Sequence, residues 1–173
     1  MRLAIRHNMA AFLSPSEISA ATETMGVDRA LIADRTYFVV FAGERQASGE
    51  YTEKGRGGAP SMVGCGGWGK RRTLYGGDAS PGRDDRLSDP ARDAARIRAM
   101  YTHPDWTRRG VGSLLLRLGE DAARTAGFAV IELGSTIPGE PLYRARGYSE
   151  FARDRHVGAN GAENIVIRMR KAL

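Results

Sequence analysis

Apolar and polar positions follow two different periods along the chain, and together they predict a mixed α/β domain. Runs rich in β-branched, aromatic and aliphatic residues predict strands. These runs span 37–42, 62–68, 95–101, 128–133, 148–157 and 164–169. The last two form a predicted antiparallel pair that turns at 158–161. No repeat and no composition shift divides residues 1–173, so a single domain is expected.

Helical periodicity is strongest between residues 109 and 126, where apolar side chains recur every three or four positions. The residues expected on its buried face are Val111, Leu114, Leu115, Leu118 and Ala122. Gly127 is expected to end the helix. Because the helix connects the predicted strands 95–101 and 128–133, it predicts a crossover between two parallel, central strands.

Shorter helices are predicted at 27–33, at 138–146 and after Ser14, which is followed by Pro15 and Glu17 in a capping pattern. Arg2 to Ile5 is a weak candidate for an opening strand. Residues 43–61 predict a long hairpin loop. Residues 76–91 predict either a loop on the substrate side or a solvated linker. Glycines in the strand 62–68 indicate a bulge or a ligand lying against bare backbone.

Composition narrows the class of protein. The net charge of +6 rests mainly on arginine and would attract phosphates. No basic run is interleaved with aromatic residues, so nucleic-acid binding is not expected. We expect neither a membrane span nor a signal peptide, and the single Cys65 is compatible with a reducing cytoplasm. His7, His103 and His156 lack metal-ligand spacing, so we expect no metal.

The segment 98–116 carries the most specific signal. An extended run ends at Pro104, and a basic, glycine-containing turn then leads into the amphipathic helix. A helix N-terminus offers unpaired N–H groups and partial positive charge, which suit a phosphate. The Gly-Lys-Ser/Thr ending of a P-loop is absent, and Leu115 stands where a dinucleotide-binding turn has its third glycine.

Residues 107–112 resemble motif A of the GCN5-related N-acetyltransferases, Gln/Arg-x-x-Gly-x-Gly/Ala, with Thr107 at the first position. Residues 142–148 resemble the Tyr-x-x-x-Gly-Phe/Tyr signature of the same family, and together the two motifs cover about 96–151. The resemblance implies a mixed, mostly antiparallel central sheet flanked by helices. It also implies a splayed parallel strand pair around the acetyl-CoA site and a strand that opens the fold.

The same resemblance implies that acetyl-CoA is the co-substrate. Backbone amides of the turn would hold its pyrophosphate, and the end of the preceding strand would meet its pantetheine arm. The residues that match these positions are Arg108, Arg109, Gly110, Val111, Gly112 and Ser113 in the turn, and Met100, Tyr101 and Thr102 in the strand. Arg108 and Arg109 either contact phosphate or are solvated.

Tyr143 matches the general acid of the family, because a phenol is protonated at neutral pH and can donate to a leaving thiolate; the alternative is a core tyrosine. Tyr148 is expected in the core. Glu132 is a candidate base as the single charge in its strand, and the alternative is an edge position facing water. His103 has a suitable pKa, but a structural role is favoured.

The leading hypothesis is therefore direct transfer of an acetyl group from acetyl-CoA to a primary amine. The acceptor is a small-molecule amine or a protein or peptide amino group. The alternative is a non-catalytic module of the same fold that binds acyl-CoA. Many relatives pair as dimers, so a homodimer is an expected assembly. Cys65 is expected to be a small buried residue rather than a nucleophile.

Overall fold

The computed structural model describes residues 1–45, 51–52, 61–78, 80 and 82–173. Most of the predicted hairpin loop at 43–61 lies outside the described residues. The helices are α1 (Arg2–Met9), α2 (Pro15–Thr24), α3 (Arg29–Ala33), α4 (Val111–Thr125) and α5 (Glu140–Ala145). The strands are β1 (Tyr37–Ala42), β2 (Glu44–Arg45), β3 (Tyr51–Thr52), β4 (Ser61–Gly69), β5 (Ala95–Thr102), β6 (Val130–Ser135), β7 (Ser149–Val157) and β8 (Glu163–Ala172).

Six strands form one sheet in the order β1-β4-β5-β6-β8-β7, and β2 and β3 form a separate short pair. Every neighbouring pair in the large sheet is antiparallel except β5 and β6, which are parallel. This arrangement confirms the expected mixed, mostly antiparallel sheet flanked by helices. The parallel pair is joined by α4, as the crossover rule requires.

The two faces of the sheet are covered by different helices. On one face, α4 packs against β4, β5 and β1, and its Leu116 and Ala123 join the main core with Ile97 and Ile131. Gly64 lets α4 come close, since a side chain at this position would collide with Val111. On the opposite face, α1 and α2 form a second apolar cluster. The central strands are therefore buried on both sides.

Helix α4 begins two residues later than predicted, and its buried face is rotated from the predicted one. Val111 and Leu115 are buried as expected, but Leu118 is 38% exposed and Leu114 and Ala122 are half-buried. The positions that face the sheet are Leu116, Gly119, Glu120 and Ala123. The apolar pattern predicted the wrong face because two of these positions are not apolar side chains. Gly119 lies against Ile97, and Glu120 is buried where it contacts Tyr148 and Lys171.

Two predictions about the N-terminal region had opposite outcomes. The capping pattern at Ser14 is confirmed: Glu17 N–H donates to Ser14 Oγ, and Ser14 N–H donates to Glu17 Oε2. The candidate strand from Arg2 to Ile5 is wrong, because these residues form the first turns of α1. Ala4, Ile5 and Met9 are buried at helical spacing, which stabilises a helix rather than a strand.

Candidate functional site

Strands β5 and β6 separate after a short paired stretch. Their register runs from Ala95 opposite Ile131 to Ile97 opposite Leu133, and then stops. On the other side of β5, two residues, Ala99 and Met100, oppose the single Gly66 of β4. Ala99 adopts a φ of 53°, which marks a bulge. The bulge bends β5 away from β6, so an opening forms at the carboxyl ends of the two strands.

The turn before α4 stands at the same edge of the sheet. Arg108 has a φ of 61° and Gly110 a φ of 87°, so the chain twists tightly before the helix starts at Val111. Within the described part of the chain, the six N–H groups from Arg108 to Ser113 donate to no acceptor. The first N–H bond into the helix runs from Leu114 to the Gly110 carbonyl. The turn thus presents successive donors at the positive end of a helix dipole.

Arginine side chains surround this turn. Arg146, which directly follows α5, donates from Nε and Nη2 to Ser113 Oγ at 3.1 and 2.8 Å. The Arg109 guanidinium lies 5.0 Å from the ring centroid of Trp106, and Arg108 is exposed. Sequence reasoning missed Arg146, because it lies 33 residues from Ser113 and reaches the turn only through the folding of α5.

The end of β5 presents backbone groups toward the opening. His103 N–H donates to Val63 on β4, so the alternation of a strand turns the Thr102 carbonyl to the opposite edge. That carbonyl accepts a hydrogen bond from Asn8 Nδ2 of α1 at 3.0 Å. Met100, two residues earlier, lies on the same edge. The Tyr101 side chain is buried, and its hydroxyl donates to the Gly26 carbonyl at 3.3 Å.

Tyr143 lies in α5 and is buried within the main core. Its ring meets that of Tyr148 edge to face, with 5.9 Å between centroids. The hydroxyl of Tyr148 donates to Glu120, whereas that of Tyr143 has no acceptor in the described residues. Burial raises the pKa of Tyr143 to about 12, and Tyr101 adds to the rise. Tyr143 is therefore a protonated phenol at neutral pH, and Tyr148 is a core residue as expected.

Glu132 lies in the paired part of β6, between β5 and β8 rather than at an edge. Its carboxylate contacts Nη1 of Arg96 at 3.1 Å and Nη2 of Arg170 at 3.0 Å. The register places these two arginines directly beside it on the neighbouring strands. These ion pairs explain why an apolar strand tolerates a carboxylate, and they occupy both of its oxygens.

The remaining candidates have structural roles. His103 caps a 3₁₀ turn at 104–106 by accepting a hydrogen bond from Asp105 N–H. Cys65 is buried in β4, as expected, and Trp68 packs in the main core. In the segment 76–91, carboxylates that could receive a cationic substrate are paired with arginines instead. These pairs are Asp78 with Arg29, Asp84 with Arg86 and Asp85 with Arg83.

Part of the segment between β4 and β5 crosses the opening on the face away from α4; we call residues 73–78 the strap. Arg98, the first β5 residue beyond the paired stretch, donates to the Gly76 carbonyl and lies 2.7 Å from Oδ2 of Asp28. The N–H groups of Gly77 and Asp78 donate to Thr24 and Val27. Of the two predicted alternatives for 76–91, this attachment favours a loop at the site over a solvated linker.

Comparison with known proteins gives the family. The sequence model described as an acetyltransferase (GNAT) domain matches residues 63–150, slightly more than half of the chain. This stretch holds the opening, the turn before α4 and Tyr143. No curated protein matches the chain in sequence.

Solved structures share the fold. One is a GCN5-related N-acetyltransferase from Rhodopseudomonas palustris, 20% identical with a TM-score of 0.58, covering 99% of this chain and 84% of that one. Another is the ribosomal-protein-alanine N-acetyltransferase from Brucella melitensis, which is 19% identical with a TM-score of 0.53. That match covers 84% of this chain and 74% of the other. A third is the PaiA N-acetyltransferase from Thermoplasma acidophilum in complex with coenzyme A, which is 11% identical with a TM-score of 0.54. That match covers 99% of this chain and 87% of the other.

Among the described residues, no helix is both long and apolar enough to cross a membrane. The same residues hold no group of three or more histidine, cysteine, aspartate or glutamate side chains placed to bind a metal ion. The family match, the open parallel strand pair and the donor-rich turn before α4 agree with one another. The chain belongs to the GNAT acetyltransferase family and is an acyl-CoA-dependent N-acyltransferase.

Proposed function

We propose that this protein transfers an acetyl group from acetyl-CoA directly to a primary amine of a small molecule or of a protein or peptide. The observation that carries the proposal is the convergence, at one edge of the sheet, of the opening between β5 and β6 and the unpaired N–H groups before α4. A phosphate-binding turn and an extended cleft at one edge match a ligand that has a diphosphate at one end and a long arm. Assembly as a homodimer and location in the cytoplasm stay predictions.

The residues of the turn fit a diphosphate. Its oxygens accept hydrogen bonds only, and the N–H groups from Arg108 to Ser113 are donors without acceptors in the described residues. Gly110 provides the left-handed φ that brings these groups together. Arg146 adds a guanidinium beside Ser113, and charge-assisted hydrogen bonds from arginine to phosphate are strong.

Bound acetyl-CoA supplies the activated acetyl thioester. In the proposed reaction, backbone groups of Met100 orient the arm in the opening, and the Thr102 carbonyl becomes available when Asn8 moves aside, whereas the backbone of Tyr101 faces β4. Tyr143 donates its proton to the departing thiolate. A phenol, with an ordinary pKa of about 10, is protonated over the whole neutral range, as a proton donor in this step requires.

Glu132 has a structural role in this proposal. Both of its oxygens are engaged by Arg96 and Arg170, and it lies within the stretch of β6 that pairs with β5, which ends at Leu133. A carboxylate that takes a proton from an amine needs an oxygen that faces the substrate. The proposed mechanism therefore does not use Glu132 as the base.

Calorimetric titration with acetyl-CoA, with CoA and dephospho-CoA alongside, tests the first step. Micromolar binding is expected, followed by release of free CoA thiol when a panel of primary amines is added. Absence of binding to a folded sample would contradict the proposal. So would tight binding without thiol release across a broad panel that includes peptide amino termini.

Replacing Tyr143 with Phe tests the acid. The value of kcat should fall about 100-fold, because general acid catalysis contributes roughly 10²–10⁴ in rate. The Kd for acetyl-CoA should stay within about two-fold, since the Tyr143 hydroxyl bonds to no other described residue. A large loss of acetyl-CoA affinity instead would make Tyr143 a structural residue.

A further inference from the structure

A cluster of three polar side chains lies beside the strap, on the sheet face away from α4. Oη of Tyr75 lies 2.6 Å from Oδ2 of Asp154 and 2.9 Å from Nε2 of His156. Tyr75 belongs to the strap, and the other two residues lie on β7. All three are half-buried, so the cluster is shielded from bulk water and remains accessible.

Gly134 of β6 places the cluster next to the opening, because Tyr75 packs against this residue. This residue is the first in β6 beyond the last pair with β5. A side chain at Gly134 would begin 2.7–2.9 Å from three atoms of Tyr75, so the missing side chain makes room for the ring. Because Arg98 holds the neighbouring Gly76 from the β5 side, the strap is fastened to both strands where they separate.

The register of the hairpin places the cluster at the open edge of the sheet. The last β6 residue, Ser135, pairs with Ile167 of β8. His156 pairs with Asn164, which precedes Ile167 by three residues. Because β6 and β8 are antiparallel, His156 lies past the carboxyl end of β6. Asp154 pairs with Val166, so its side chain shares a face with that of His156.

Hydrogen-bond chemistry fixes the direction of protons in the cluster. A phenol has one proton, and an ionised carboxylate only accepts, so the Tyr75 hydroxyl donates to Asp154. Toward His156 the same oxygen can therefore only accept. Nε2 of His156 must carry its proton, which leaves Nδ1 bare in the neutral ring. Nδ1 makes no hydrogen bond within the described residues.

From this geometry we propose that His156 is the base that deprotonates the acceptor ammonium, with Tyr75 and Asp154 as positioning residues. The proposal rests on the acetyltransferase function proposed above. In the step, the N–H bond of the ammonium breaks and a bond forms between that proton and Nδ1. The amine keeps the electron pair with which it attacks the thioester. The resulting imidazolium is stabilised by the Asp154 carboxylate through the Tyr75 hydroxyl.

The charged surroundings of His156 are consistent with binding a cationic acceptor. The groups that face this part of the hairpin are Tyr75 from the strap, Asp154 from β7, Arg168 from β8 and Glu23 from α2. Glu23 accepts from Ala159 N–H at 3.1 and 3.2 Å, and Arg168 stands 3.9 Å from Asp154. The distance from Asp154 to its arginine is thus longer than the 3.1 Å between Asp78 of the strap and Arg29.

Nitrogen NMR of the ¹⁵N-histidine-labelled full chain tests the arrangement without any acceptor. The His156 ring, assigned with His156→Gln, should be the neutral tautomer with its proton on Nε2. Tyr75→Phe should change its signals, whereas His7→Gln, at an exposed position of α1, should not. A proton on Nδ1 in the neutral ring, or signals unchanged in Tyr75→Phe, would overturn the proposal.

Turnover tests the role, with spermidine and a short peptide with a free amino terminus as the two probe amines. For the amine that is acetylated, His156→Gln should lower kcat/KM at least about 100-fold and remove the rise of kcat/KM with increasing pH. The acetyl-CoA Kd should remain unchanged. An unchanged pH profile would overturn the proposal. Failure to bind acetyl-CoA would overturn the proposed function and with it this inference, whereas an unchanged kcat/KM of His156→Gln in a protein that acetylates the amine would overturn this inference alone.

Discussion

The turn before α4 and the face beneath the strap are built in opposite ways. The turn presents backbone N–H groups from six consecutive residues, of which Arg108 and Arg109 have exposed side chains and Val111 packs in the core. The strap face consists of side chains from four separate segments, contributed by Tyr75, Asp28, Arg98 and His156. A backbone site needs particular φ angles and therefore leaves a glycine pattern in the sequence. A side-chain site assembled from distant segments leaves none.

The largest expected effect comes from breaking the backbone site. Gly110→Val puts a β-branched residue at a φ of 87°, a conformation that costs such a side chain of order 1–3 kcal/mol. The donors of the turn would move out of line, so the acetyl-CoA Kd measured by calorimetry should rise about 100-fold. Gly161→Val is the matched control, because Gly161 has a φ of 76° in the β7–β8 turn. Equal losses in both variants would show a general folding defect.

The next largest effect comes from breaking the strap face. Gly134→Val should push Tyr75 off β6 and lower kcat/KM for the acceptor about 10-fold, while acetyl-CoA binds as before. In a Tyr75→Ala background the same substitution should cost nothing further, since the ring it would strike is gone. Additive losses in the double variant would mean that Gly134 matters for another reason.

A smaller effect is expected from Arg146→Ala, which removes a side chain from an otherwise backbone-built site. One charge-assisted hydrogen bond contributes about 1.5–3 kcal/mol, and solvent exposure reduces this, so the acetyl-CoA Kd should rise about five-fold. Arg144→Ala is the control, because Arg144 pairs with Glu140 and Glu150 instead. A rise in Kd that is equal in both variants would indicate an effect of net charge alone.

The smallest effect on turnover is expected from Glu132→Gln. The kcat should change less than two-fold, because the carboxylate is held by Arg96 and Arg170. Loss of the ion pairs should appear in thermal unfolding, as a decrease of about 1 kcal/mol in the free energy of unfolding. If kcat instead collapsed in a stably folded protein, Glu132 would be the base after all, and the roles of the two regions would have to be redrawn.

The difference between features set by neighbouring residues and features assembled from distant segments also explains which parts of the fold could be predicted from the sequence. The strand at 37–42, the cap at Ser14, the crossover through α4 and the family motifs all depend on neighbours within a few residues, and all are confirmed. The strand proposed for residues 2–5 was wrong, because tertiary burial of α1 decides its structure. The buried face of α4 was misassigned, because Glu120 is buried through Tyr148 and Lys171, partners that lie 28 and 51 residues away.

The candidate site was predictable to the same degree. The turn before α4 and Tyr143 were proposed as site residues from local motifs and stay predictions, whereas the ion pairs of Glu132 follow from strand register and were not foreseen. Arg146 at Ser113 and the contact of Tyr75 with His156 also depend on the completed fold. His156 appeared in the sequence only as one of three dispersed histidines.

The short parallel pairing of β5 with β6 has a consequence for cooperativity. Among the described residues, three residue pairs form the only ladder that joins the half-sheet β1-β4-β5 to the half-sheet β6-β8-β7. A ligand seated in the opening bridges both halves, so its binding energy adds to the free energy that holds them together. Backbone amides of β5 and β6 near the opening should then exchange with deuterium at separate rates in the free protein. In the loaded protein they should exchange together, as one unit.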